Sequence, residues 1–268
     1  MSSRKKSFSV SWLSIAFWIV VTATAAFLLL PTLVIIPVSF TTQAALDFPP
    51  RGFSLKWYAE IWSNPMWSDA IVSSLKVGLL TALAATVFGT LTALGVSLLR
   101  GVEGRFGEGV ALAPLVTPVI TLSIGIYMTF AKWGLAGTTI GLAIAHTVLA
   151  IPFVVVSVRA SLETVNPNLQ LASLGLGASR WLTFHRVLLP LIMPGVVAGA
   201  ILAFMTSWDE VVVALFLSSP AVRTIPVVIW AQVRADISPT VAAVATLLIV
   251  VSAVGLSAAT FIGRHQKK

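Results

Sequence analysis

Long apolar stretches without a single Asp, Glu, Lys or Arg dominate this chain. A helix needs about 20 such residues to cross the hydrocarbon layer of a membrane. Six stretches reach that length: 7–46, 77–99, 109–131, 133–158, 187–208 and 237–263. The next longest, 164–179, is short and holds two Asn, a Gln and a Pro, so it is not counted. The runs are continuously apolar and lack the alternation of an outer-membrane barrel. A helix satisfies its own backbone hydrogen bonds in lipid. The pattern therefore predicts an all-α, polytopic membrane protein with six transmembrane helices. The first run follows Arg4, Lys5 and Lys6, as a signal peptide would. It is too long for a signal h-region, and no small-residue cleavage site ends it cleanly, so it reads as a retained helix.

The spans carry further marks. Gly78, Ala82, Ala85, Gly89 and Ala93 recur at helical spacing in the second, and Gly195, Gly199 and Ala203 in the fifth. Small residues let membrane helices approach closely, within a chain or against a partner. Pro114 and Pro118 fall in the third span and Pro152 in the fourth, where a missing N–H kinks a helix. Among the polar residues within spans, Thr121, Ser123, Tyr127, His146, Thr206 and Ser207 are candidates to line a path. Of these, His146 reads as a satisfied helix-packing residue and not a ligand. Trp57, Tyr58, Trp62 and Trp67 mark the first outer loop as an interfacial segment anchoring the surface.

Composition agrees. Of 268 residues, 57% are hydrophobic and 10% charged, with a mean hydropathy of +0.99. A soluble domain carries about 25% charged residues, so a soluble fold is excluded. Six spans place both termini on one side. That side holds Arg4, Lys5, Lys6, Arg100, Arg105, Arg159, Arg180, Arg186, Arg264, Lys267 and Lys268 against Glu103, Glu108 and Glu163. The other side balances its basic residues with Asp47, Glu60, Asp69, Asp209, Glu210 and Asp236. The whole net charge of +8 thus lies on the first side, which the positive-inside rule makes cytoplasmic. The basic balance is a topology signal and not a sign of nucleic-acid binding; the surroundings expected are membrane lipid.

Covalent chemistry finds no support. There is no cysteine, which excludes disulfides, thiolate metal sites and thiol nucleophiles. No HExxH, Gly-x-Ser-x-Gly or GxxxxGK[ST] motif occurs, so no catalytic or metal site is expected. Any coupling to ATP must come from another polypeptide, with ATP and Mg held there and no cofactor in this chain.

The fourth loop, 159–190, is far longer than a simple connector needs. Asn166-Pro167 signals a helix start, and residues 168–176 allow about two turns. Gly175 and Gly177 break that helix, and Ala178-Ser179 can begin another. The second piece sets Trp181, Phe184, Leu188 and Leu189 at helical spacing before Pro190. Two short helices at an angle make a rigid knob with Leu169, Leu171 and Leu174 at its tip. Such a knob suits a groove on a soluble partner.

This loop resembles the EAA loop of ATP-binding-cassette importer permeases. That pattern runs Glu-Ala-Ala, three residues, Gly, nine residues, an aliphatic, one residue, Leu-Pro. Here it reads Leu171-Ala172-Ser173, Gly177, then Val187-x-Leu189-Pro190. Leu171 replaces the family's Glu and Ser173 its second Ala; Gln170 is the nearest polar residue. The stretch from Met193 to Trp230 resembles the spermidine/putrescine branch of these permeases. The resemblance implies the type I importer fold, with a core at 70–262, a leading segment at 1–45, an outer loop at 46–69 and a tail at 263–268. It implies a multi-pass permease of the bacterial inner membrane. Its expected partners are a second, commonly non-identical permease, two ATPases and a periplasmic solute-binding protein. The ATPase-coupling residues would be Gln170, Leu171, Ala172, Ser173, Gly177, Ala178, Ser179, Leu189 and Pro190. A stand-alone secondary transporter or channel is the alternative; it would need internal repeats or more intramembrane charge.

Asp209 and Glu210 follow directly on the fifth charge-free run. With a helix starting near Pro194, Asp209 would lie about 22 Å along it, three-quarters of the way across. Charges at that depth face a water-filled path or a partner. Carboxylates there would offset the lost hydration of an ammonium solute, and Tyr127, Thr206, Ser207, Trp208, Asp209 and Glu210 form the candidate path. The other reading makes Asp209 a structural acceptor at a helix break, with Glu210 among the headgroups.

Overall fold

The computed structural model describes residues 12–235 and 238–264. The charges expected from Arg4, Lys5, Lys6, Asp236, Lys267 and Lys268 lie outside them. Twelve helices follow in order among the described residues: α1 (Trp12–Val38), α2 (Lys56–Ser63), α3 (Pro65–Leu98), α4 (Gly101–Val116), α5 (Val119–Lys132), α6 (Thr139–Leu162), α7 (Pro167–Gly175), α8 (Arg180–Thr183), α9 (Leu189–Trp208), α10 (Val212–Leu217), α11 (Ile225–Ala235) and α12 (Pro239–Arg264).

Five segments are long and apolar enough to cross a membrane: Ser14–Val38, Pro65–Leu98, Thr139–Leu162, Arg180–Trp208 and Pro239–Ile262. The expected third span is a bent pair, in which α4 and α5 meet at 97°; counted as one, it makes six. The cause is local. Pro118 offers no N–H to the carbonyl of Pro114, and it disfavours helical backbone at Thr117, whose ψ is 130°. Pro114 and Pro152 stay inside continuous helices, so only Pro118 breaks its span.

The centre is a three-helix stack of α3, α6 and α9. Its buried faces are rich in small residues, among them Ala85, Gly89 and Ala93 of α3, Ala145 and Ala150 of α6, and Gly195, Gly199 and Ala203 of α9. A Cβ on Gly89 of α3 would come within 2.7 Å of Val154 on α6, and one on Gly199 of α9 would come within 3.0 Å of the same residue. A Cβ on Gly195 would meet Ser161 and the carbonyl of Ser157. Gly89 from one side and Gly195 and Gly199 from the other thus pack onto α6, while Gly78 lies against Phe204 of α9. Without a hydrophobic drive between helices in lipid, this close approach supplies the dispersion contact that holds them.

The two ends of the stack differ. At one, Ala93, Ala111, Val158, Leu188 and Ile192 close a cluster next to α7 and α8. At the other, Ile61, Trp67, Trp208, Ile225 and Val244 join α2, α3, α9, α11 and α12. The aromatic loop belongs to this second end and is more than a surface anchor. Trp67 is buried, Trp57 Nε1 donates to the Thr41 carbonyl (2.7 Å), and Tyr58 hydrogen-bonds Ser39 (2.7 Å). Trp62 alone projects outward.

Candidate functional site

The loop at 159–190 folds as two short helices whose ends are fixed by their own sequence. Asn166 accepts from the Asn168 N–H (2.9 Å), with Pro167 at the first helical position. α7 ends before Gly177, whose φ of +86° suits glycine. Ser179 then caps α8 by accepting from the Leu182 N–H (3.2 Å). A hydrogen bond of 3.0 Å between the Ser173 and Thr183 hydroxyls ties the two helices together. Ser173, where the EAA pattern has Ala, is thus part of the knob's brace.

The knob leaves its apolar tip bare. Leu171 is 66% exposed and Leu176 89%, with Leu169 and Leu174 also exposed. Ala172, Gly177, Ser179 and Pro190 are exposed too, whereas Gln170, Ala178 and Leu189 are half-buried. Between α8 and α9 the backbone takes one π-helical turn, Phe184–Leu188. Pro190 has no N–H to give four residues back. The Leu189 N–H reaches instead to the Phe184 carbonyl, five residues back. The helical spacing expected for Trp181, Phe184, Leu188 and Leu189 is shifted by this turn.

The carboxylate pair lies at the opposite end of α9. That helix begins before Pro194, at Leu189, and ends at Trp208. Asp209 is therefore its C-terminal cap, about 30 Å from its start. It lies at a helix break, as the second reading had it, and farther from the helix start than the about 22 Å expected from Pro194. The two carboxylates face different surroundings. Asp209 is exposed, and its oxygens accept from Ser252 of α12 at 3.2 Å. Glu210 turns inward and accepts from the N–H groups of Val212 (2.9 Å), Val213 (3.0 Å) and Ala214 (3.0 Å). It thereby satisfies the first turn of α10, which lipid could not do.

His146 of α6 is fully buried against this break. Its Nδ1 lies 2.8 Å from Ser207 Oγ, and its Nε2 lies 3.5 Å from Glu210 Oε2. Ser207 and Trp208 are buried, and Trp208 stacks on Phe204. Thr206 bonds the Leu202 carbonyl of its own helix. Of the six candidate path residues, Asp209 and Tyr127 are exposed; Tyr127 projects from α5. At the α2 end, a cavity of about 420 Å³ is lined by Asp69, Ser73, Lys76 and Arg223. A count of charges by side could not show that these residues converge, because they come from α3 and the turn after α10.

Comparison with known proteins places the chain. Residues 85–268 match the model of the binding-protein-dependent transport system inner membrane component family. The spermidine/putrescine transport system permease protein PotC of Escherichia coli (strain K12) is 32% identical, over 92% of this chain and 93% of that protein. The putrescine transport system permease protein PotI of the same strain is 29% identical, over 90% and 89%. In a crystal structure of a bacterial ABC transporter that imports alginate, one chain superposes with a TM-score of 0.70 at 15% identity, over 93% of this chain and 95% of that one. The fold is that of type I ABC importer permeases. The relatives are transport permeases and not enzymes, which favours the importer over a stand-alone transporter. The chain belongs to the family of inner membrane components of binding-protein-dependent transport systems, and is a multi-pass permease of the inner membrane.

Proposed function

We propose that this permease carries polyamines or closely related small cationic solutes across the inner membrane. It works with a second, non-identical permease, two ATPases and a periplasmic solute-binding protein. Both termini and the α7–α8 knob face the cytoplasm, in line with the excess of Arg and Lys on that side. The knob seats in a groove of an ATPase, with Leu171 and Leu174 as its apolar contacts. ATP binding and hydrolysis, with Mg, occur on the partner. Their movements reach this chain through the knob, and the helices then alternate between outward and inward access.

The observation that carries the solute reading is the exposed carboxylate of Asp209 at a helix break in an apolar chain. An ammonium group leaving water needs a negative partner. The exposed Asp209 carboxylate, bonded among the described residues only by the Ser252 hydroxyl, can supply one while Glu210 is engaged by backbone. The names of the relatives PotC and PotI support the same solute class. Uptake of radiolabelled putrescine and spermidine by the assembled transporter tests the proposal. Asp209→Asn should cut uptake at least tenfold with the complex intact. Unchanged uptake in that variant would remove Asp209 from the path.

A further inference from the structure

The surroundings of His146 are unusual for a residue that serves packing alone. It is fully buried, about 10 Å along α6 from Thr139. It reaches both sides of one helix break. Its Nδ1 meets Ser207, the penultimate residue of α9, and its Nε2 faces Glu210, which caps α10. Asp209 lies between these two contacts in the chain. With Ser207 bonded to α6, and Glu210 facing α6 while bonded to the backbone of α10, the chain is held on either side of 209, and the Asp209 carboxylate is bonded by Ser252.

One tautomer serves both contacts. With the proton on Nε2, the Ser207 hydroxyl donates to Nδ1 and the Nε2 hydrogen points at Glu210 Oε2. That hydrogen faces the oxygen's remaining lone pair while the carboxylate keeps its three backbone donors. Nε2 has no full hydrogen bond at 3.5 Å, so a small approach of α6 to the break would complete it. The break can therefore be tightened by a movement of one helix, without rebuilding it.

We propose that His146 is a positioning residue of the solute path: through Ser207 and Glu210 it fixes the helix break that presents Asp209 to the solute. This rests on the assignment of Asp209 to the path. His146 never touches the solute. Its role is to keep the neighbouring carboxylate pointing outward as α9 and α10 move.

Because the chain has no cysteine, a single Asp209→Cys reports the geometry directly. The assembled transporter in lipid nanodiscs is treated with a cationic methanethiosulfonate, and modification of this chain is followed by intact mass. Adding His146→Ala should change the modification rate at least fivefold. His146→Asn, whose amide occupies the Nδ1 position, should restore much of the original rate; His146→Gln, which keeps only the Glu210 side, should restore less. In the otherwise unaltered chain, His146→Ala should lower putrescine uptake at least tenfold, with Asn again the better rescue. If the Ala variant does not assemble, the Asn and Gln pair still decides the matter. Equal modification rates in all assembled variants would overturn the positioning role. Failure of the path assignment is read separately, from unchanged uptake in Asp209→Asn.

Discussion

Leu171→Asp is the sharpest perturbation of the proposed ATPase contact, because Leu171 contributes nothing visible to this chain's own core. The side chain is 66% exposed. Burying a whole Leu side chain is worth about 1.5–3 kcal/mol, so covering two-thirds of one gives about 1–2 kcal/mol. An aspartate in the same contact forfeits that and adds a desolvation cost of at least about 1–3 kcal/mol. The sum is about 2–5 kcal/mol, or roughly a thirtyfold loss of affinity at the low end. Co-purification of the ATPase with tagged permease measures it, alongside solute uptake. Thermal unfolding of the isolated permease in detergent controls for the fold and should be unchanged. Full ATPase recovery and wild-type uptake in the variant would refute the docking role of this tip. Loss of permease stability would refute the claim that Leu171 serves only the contact.

Other outcomes follow from the same geometry. Glu210→Ala leaves three backbone donors of α10 unsatisfied and should cost about 3 kcal/mol or more, read as a lower unfolding midpoint; Glu210→Gln, which keeps one acceptor, should cost less. Gly89→Val places a side chain against Val154 and should destabilise by about 1–3 kcal/mol. Gly125→Ala, with open space around it, should not reduce the midpoint. Ser179→Ala removes the cap of α8 and one end of the knob, at about 1 kcal/mol. It should raise hydrogen exchange at Leu182 without altering exchange in α3.

The elements legible in the sequence are those whose signals are local. Charge-free length locates the spans but not their ends, since α3 begins at Pro65 and carries Asp69 and Lys76; Asn166-Pro167, Gly177 and Ser179 mark the limits of the knob's helices with their own side chains or backbone. The rest depends on which of several answers a local signal takes, or on partners distant in sequence. Pro114, Pro118 and Pro152 look alike in sequence, but only at Pro118 does the backbone turn through 97°. The π-helical turn before Pro190 follows from a missing N–H, yet helices also answer that by kinking. Asp209 and Glu210 are chemically similar neighbours. Which one faces outward is decided by His146, 61 residues before Ser207, and by the need of α10 for an acceptor. Trp67 has the residue type of an interfacial anchor and becomes core only because α2, α11 and α12 close over it.

Purification of the tagged chain from its native host in mild detergent, with mass spectrometry of what accompanies it, tests the central claim most directly. Recovery of an ATPase, a second permease and a periplasmic binding protein is the predicted result. The ligand of that binding protein should then be a polyamine or a related amine. Recovery of this chain alone, with no ATPase even after cross-linking, would contradict the account of α7 and α8 as an ATPase-docking knob.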